Sequence, residues 1–197
     1  MKVKTITAST FLPIDLEEVK DHLRIEHGLT DEDAYLTRLI KAAQNEVEED
    51  TQRALTNRTL KVYFNEWPSN DEQSFDLPYA PLTTGTKPTV TYKDVDSSTV
   101  TVGSSVFKCD AISEPGKVLP DYNEEWPSET LHNVNPIGVQ YTCGYAYSTA
   151  VPQRLKQAVL VVISDMYENR ESQVVAHSYE TLPVYRNLIK DYRDFDF

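Results

Sequence analysis

Glycine is scarce in this chain of 197 residues, at 6, and cysteine is scarcer, at 2. So few glycines argue against a phosphate-cradling loop, because backbone can approach a phosphate closely only where side chains are missing. Two thiols, Cys109 and Cys143, make no disulfide framework and suit a reduced cytoplasmic setting. Positive charge is also short: the formal net charge is −12. Residues 1–57 sum to −5, residues 58–151 to −6 and residues 152–197 to −1. No segment is basic, so nothing along the chain looks built to grip nucleic acid or an anionic membrane. The longest apolar run, Ala158 to Ile163, is far too short to cross a bilayer. Met1 to Thr10 lacks the apolar stretch that a signal peptide needs.

Reactive constellations are missing as well. His22 and His27 stand five residues apart, about 140° around a helix, which is wrong for a shared metal. His132 and His177 fall in loop-like sequence. Asp165 and Glu168 have the spacing of an acid/base pair, yet a polar face on an apolar helix explains them as well. Asp94 and Asp96 resemble calcium ligands only superficially, because the EF-hand glycine and distal glutamate are absent and such residues favour turns. No HExxH, paired CxxC or GxSxG motif occurs. The expectation is no catalytic residue, no cofactor, no metal and no enzyme.

What is present is helical at both ends and β-like between. Asp15 with Glu18 has the form of a capping box, and Ile14 with Val19 that of a hydrophobic staple. A first helix through Leu16, Val19 and Leu23 is expected to end at Gly28. A second, after Thr30, carries Leu36, Leu39, Ile40, Ala43 and Val47 on one stripe and runs to about Ala54. From Arg58 to about Tyr147 short β-prone runs take over: Lys61 to Phe64, Ser74 to Leu77, Thr89 to Tyr92, Thr99 to Val102 and Ile137 to Tyr141. Asp94 to Ser98 reads as a hairpin loop, and Trp67 and Trp126 as plugs of the β-core rather than partner anchors. Helix returns after Pro152 through Leu155, Ala158, Val159, Val162, Ile163 and Met166. A polar linker, Glu168 to Glu180, then leads to a last helix from Pro183 to Tyr192.

The fold class is therefore α+β. A helical bundle is built from both chain ends, with a small antiparallel β-domain inserted. The predicted divisions are 1–57 (N-terminal helices), 58–150 (β-domain) and 151–197 (C-terminal helices and an aromatic tail).

Ordered motifs carry a resemblance. Leu16-Glu17-Glu18-Val19-Lys20-Asp21-His22-Leu23-Arg24 and Val47-Glu48-Glu49-Asp50-Thr51-Gln52-Arg53-Ala54-Leu55 are followed by Leu77-Pro78-Tyr79-Ala80-Pro81-Leu82 and Tyr92-Lys93-Asp94-Val95-Asp96. Trp126-Pro127, Val139 to Tyr145, Val151 to Ala158 and Tyr167 to Glu171 complete the series. Together they resemble the head-tail connector (adaptor) family of tailed bacteriophages over about nine-tenths of the chain. Ser97 stands where that family usually has glycine, Cys143 replaces a typical alanine, and the last six residues are not covered. The resemblance implies a virion protein, assembled in the host bacterial cytoplasm. It implies a homo-oligomeric ring, about a dodecamer, lying below the portal and meeting head-closure, stopper or tail proteins. Double-stranded DNA would pass through its lumen without specific binding, and an acidic lumen suits that passage. Tyr192, Phe195 and Phe197, alternating with charges, are candidates for portal docking. Read without the resemblance, the residues also allow a monomeric or dimeric binding module whose β-domain recognises a protein or a glycan, or a hydrolase with an unfamiliar site.

Overall fold

The computed structural model describes residues 1–69, 73–169 and 183–193. The chain divides into two compact units, each made of stretches distant in sequence. One joins Met1–Ser9 to Asn57–Gly144; the other joins Thr10–Thr56 to the described residues from Tyr145 onward.

In the helical unit, α1 spans Leu16–Leu23 and α2 spans Asp33–Thr51. After a short 3-10 turn at Ser148–Ala150 come α3, Gln153–Glu168, and α4, Pro183–Ile189. The apolar stripe of α2 meets that of α3: Leu36, Ile40, Ala43 and Val47 pack with Leu155, Ala158, Val159, Val162 and Ile163, all with no solvent exposure. Tyr185 and Ile189 of α4 close the same core. Each buried Leu, Ile or Val contributes about 1.5–3 kcal/mol, so Ile40→Ala removes core contact at a cost of about 2–5 kcal/mol.

Asp15 does occupy the N-cap position of α1, but its side chain makes no capping hydrogen bond. Ile14 and Val19 are both fully buried, as a staple requires. The end of α1 differs from expectation. It stops at Leu23, and Arg24 rather than a glycine takes the left-handed conformation, at φ 59°. The Arg24 and Ile25 amides then close onto the Asp21 and Lys20 carbonyls, so backbone bonds terminate the helix before Gly28 is reached. At the end of α2 Gln52 is likewise left-handed, at φ 52°.

The other unit contains eight strands: β1 Lys2–Thr7, β2 Arg58–Phe64, β3 Phe75–Leu77, β4 Thr89–Lys93, β5 Thr99–Thr101, β6 Phe107–Asp110, β7 Gly116–Pro120 and β8 Ile137–Cys143. A five-stranded antiparallel sheet runs β1-β2-β8-β4-β5, and a three-stranded one runs β3-β7-β6. Residues 1–57 were assigned to the helices, yet Lys2–Thr7 pairs with β2 in this sheet. Its alternation of Lys2, Lys4 with Val3, Thr5 has the period of a strand, not of a helix. β6 and β7 arise where the sequence reading placed only loop.

Aromatic side chains form the core between the two sheets. Phe64 lies 4.5 Å from Phe75, and Trp67 stacks on Trp126 at 5.2 Å with planes 12° apart. Phe75, Phe107 and Tyr92 complete the cluster. The Trp126 indole donates to the Gln73 carbonyl at 2.7 Å. Both tryptophans thus serve the packing of the β-unit.

Candidate assembly interface

The register of the five-stranded sheet sorts its side chains onto two faces, because residues directly opposite one another share a face. Leu60, Val62, Val90, Tyr92, Ile137, Val139, Tyr141 and Cys143 point to the core and are buried. On the other face Lys4 stands opposite Lys61, Lys61 opposite Gln140, and Gln140 opposite Thr89. In the next row Lys2, Tyr63, Gly138, Thr91 and Thr101 follow one another. Lys93 and Thr99 lie one row further on.

This face holds four lysines and no acidic residue among its strand positions, in a chain with 31 Asp and Glu. Among the described residues none of the four lysines has an ion-pair partner. Lys4 and Lys61 are like charges in direct cross-strand opposition, which costs a few tenths of a kcal/mol where nothing offsets it. Gly138 shapes the face further. A Cβ there would sit 2.4 Å from Lys61 Cε, so the absent side chain lets Lys61 lie flat across β8. The Lys61 ammonium is 5.7 Å from the centre of the Tyr63 ring.

A second feature belongs to the helical unit. Arg53 is 6% exposed; its guanidinium stands 5.3 Å from the Tyr192 ring centre, and its Nε donates to the Tyr192 carbonyl at 3.2 Å. Arg154 bonds the Asp191 carboxylate and the Asn187 carbonyl. Nearby, burial pushes the Tyr145 phenol above its ordinary value, and Arg53 opposes the rise. Of the three aromatic residues singled out in the tail, Tyr192 is therefore half-buried and held by its own chain. Phe195 and Phe197 lie outside the described residues.

The remaining candidates have local roles. His22 bonds Ser164 at 2.9 Å, and His27 bonds Asp21 at 2.7 Å. Asp165 accepts from the Asn169 amide at 3.0 Å, at the end of α3. Asp94 accepts from the Asp96 and Ser98 backbone amides, the bonding of a turn. Among the described residues no group of three or more His, Cys, Asp or Glu could hold a metal. The Asp110 carboxyl is held below its ordinary value, first by the Ser113 hydroxyl and then by backbone amides of Ser113 and Ile112. Burial pushes the Cys109 thiol up, with the Asp110 charge adding to it.

The cationic face escaped the sequence reading because its charges come from three strands, β1, β2 and β4, each in a segment whose net charge is negative. The available signal was the period-two spacing of Lys2 and Lys4, read together with a pairing register that only the fold supplies.

The profile of a family described as Phage gp6-like head-tail connector protein matches residues 13–83. No curated protein matches the chain. Among solved structures, the chain is similar to one in the virion of a native gene transfer agent particle, at 24% identity and a TM-score of 0.79. It is equally similar to chains in the neck of an empty particle computed with C6 symmetry (TM-score 0.80) and of a native particle computed with C12 symmetry (0.75), both at 24% identity. Each likeness covers 100% of this chain and 97% of the other. At that identity the likeness speaks to the fold alone. The profile match is confined to residues 13–83, and the likeness over the whole chain is one of fold.

Proposed function

We propose that the chain is a structural connector protein of a virion neck, acting through its surfaces and not through catalysis. The observation that carries this reading is the convergence of the connector profile on residues 13–83 with a fold found in particle necks of sixfold and twelvefold symmetry. Its copies form a homo-oligomeric ring of about twelve below the portal, prolong the DNA channel, and offer a platform to head-closure or tail proteins. Ring closure needs contacts in which one face meets a different face of the next copy. A chain with two dissimilar units, one carrying a cationic face within an acidic whole, has such unlike surfaces.

The tail from Tyr192 to Phe197 docks on a portal subunit in this reading. Tyr192, clamped by Arg53, anchors it to the helical unit. The test is imaging and mass measurement of the purified protein alone and with the portal protein of its own particle. The expected result is a ring seated on the portal for the full chain, and weakened seating for a chain ending at Asp191. A protein that stays solitary beside the portal overturns the connector reading; full-strength seating without the tail removes only the docking role.

A further inference from the structure

We propose that the cationic outer face of the five-stranded sheet, centred on Lys4 and Lys61, is the contact through which one copy binds an acidic surface of the next copy in the ring. The inference rests on the ring reading above and names the surface that closes it. Three observations lead to it. Among its described strand positions the face carries Lys2, Lys4, Lys61 and Lys93 and no acidic residue. That leaves 15 basic against 31 acidic residues on the rest of the chain, a formal −16, so every copy carries carboxylates in excess to meet its neighbour's face. Moreover Lys4 opposes Lys61 without a counter-ion among the described residues, an uncompensated pairing that an incoming carboxylate relieves.

Shape agrees with charge. Five strands at about 4.8 Å spacing span roughly 20 Å, so four or five residues of strand make a platform of about 270–340 Å². That is more than a third of one partner's share of a standard protein interface, about 800 Å². Gly138 keeps this platform low by letting Lys61 lie along it. The lysines are compact point charges that pair with carboxylates in many geometries, and the face offers no arginine fork for bidentate hold on a phosphate. A protein surface rich in Asp and Glu is thus favoured over a DNA backbone as the occupant.

The test uses the full chain and its K2E/K4E/K61E and K2R/K4R/K61R variants. Thermal melts followed by circular dichroism establish folding. Sedimentation and imaging, with and without the portal protein of the same particle, read assembly at about 50 mM and about 500 mM salt. The Glu variant is expected to assemble on the order of ten- to a hundredfold more weakly, and the Arg variant like wild type. Should the Glu variant fail to fold, the neutral K2Q/K4Q/K61Q chain gives the same test with a smaller loss. Wild-type rings alongside undiminished Glu-variant rings at both salt concentrations reject this interface and leave the ring reading standing. Binding of a short DNA duplex that the Glu variant loses, with assembly intact, gives the face to DNA instead. Absence of rings even from wild type with portal removes the connector reading and this inference with it.

Discussion

Lys20 is the position where a single substitution tests the packing logic of the helical unit most directly. It sits on α1, inside the stretch that matches the connector profile, with its side chain 4% exposed. Its ammonium pairs with Asp33 at 2.6 Å and donates to the Leu29 carbonyl at 2.8 Å. These bonds tie α1 to the first turn of α2 across the connecting loop. Breaking a buried pair by removing one partner costs about 3–5 kcal/mol. Asp33 is 31% exposed and can recover water, so screening discounts that figure. Lys20→Ala is therefore expected to lose about 2–3 kcal/mol, a fall of about 5–10 °C in the Tm of a chain of this length. Lys20→Met keeps the aliphatic stem packed and loses about 1 kcal/mol less. Urea unfolding of K20M, D33N and the double variant separates the charge from the stem. A coupling of about 1–2 kcal/mol is expected between the two positions. Additive losses, or a K20A chain within about 0.5 kcal/mol of wild type, refute the reasoning.

Ser97 holds φ +65° in the turn between β4 and β5, a conformation that costs a side chain about 1–2 kcal/mol, less what glycine loses in the unfolded chain. Ser97→Gly should stabilise the β-unit by about 0.5–1 kcal/mol in a urea melt, and an unchanged midpoint counts against a strained turn. Gly116 opens β7 with no space above it, since a Cβ would come within 2.5 Å of Leu82 Cδ1, and Leu82 is only 6% exposed. Gly116→Val should cost about 1–3 kcal/mol by overpacking despite its better strand propensity, and a Tm at or above wild type would contradict that placement.

The elements legible in the sequence were those whose own period announces them. α2 and α3 carry apolar stripes at helical spacing, and their burial follows those stripes almost residue for residue. β6 and β7 were illegible for a local reason: β7 begins at Gly116 and ends at Pro120, two residues that read as punctuation and not as strand. Helix ends failed differently. Gly28 has the residue type of a C-cap, but Arg24 accepts the left-handed conformation four residues sooner, because the amides there already have carbonyls to close on. The cationic face was beyond reach of any linear reading. Lys4 and Lys61 become neighbours only through pairing across 57 positions, so a charge sum over segments returns acid everywhere and conceals it.

That concealment bears on how an acidic subunit can assemble at all. With a Debye length near 8 Å, distant charges on adjoining copies are screened, and the charges that meet at the contact decide whether it forms. Net charge then matters less than its segregation. A face of +4 buried against a neighbour offsets local repulsion where the copies touch, and it also withdraws those four lysines from solvent. The carboxylates that meet this face on the neighbour leave solvent with it, so the contact removes both signs together and the formal charge per copy stays at −12.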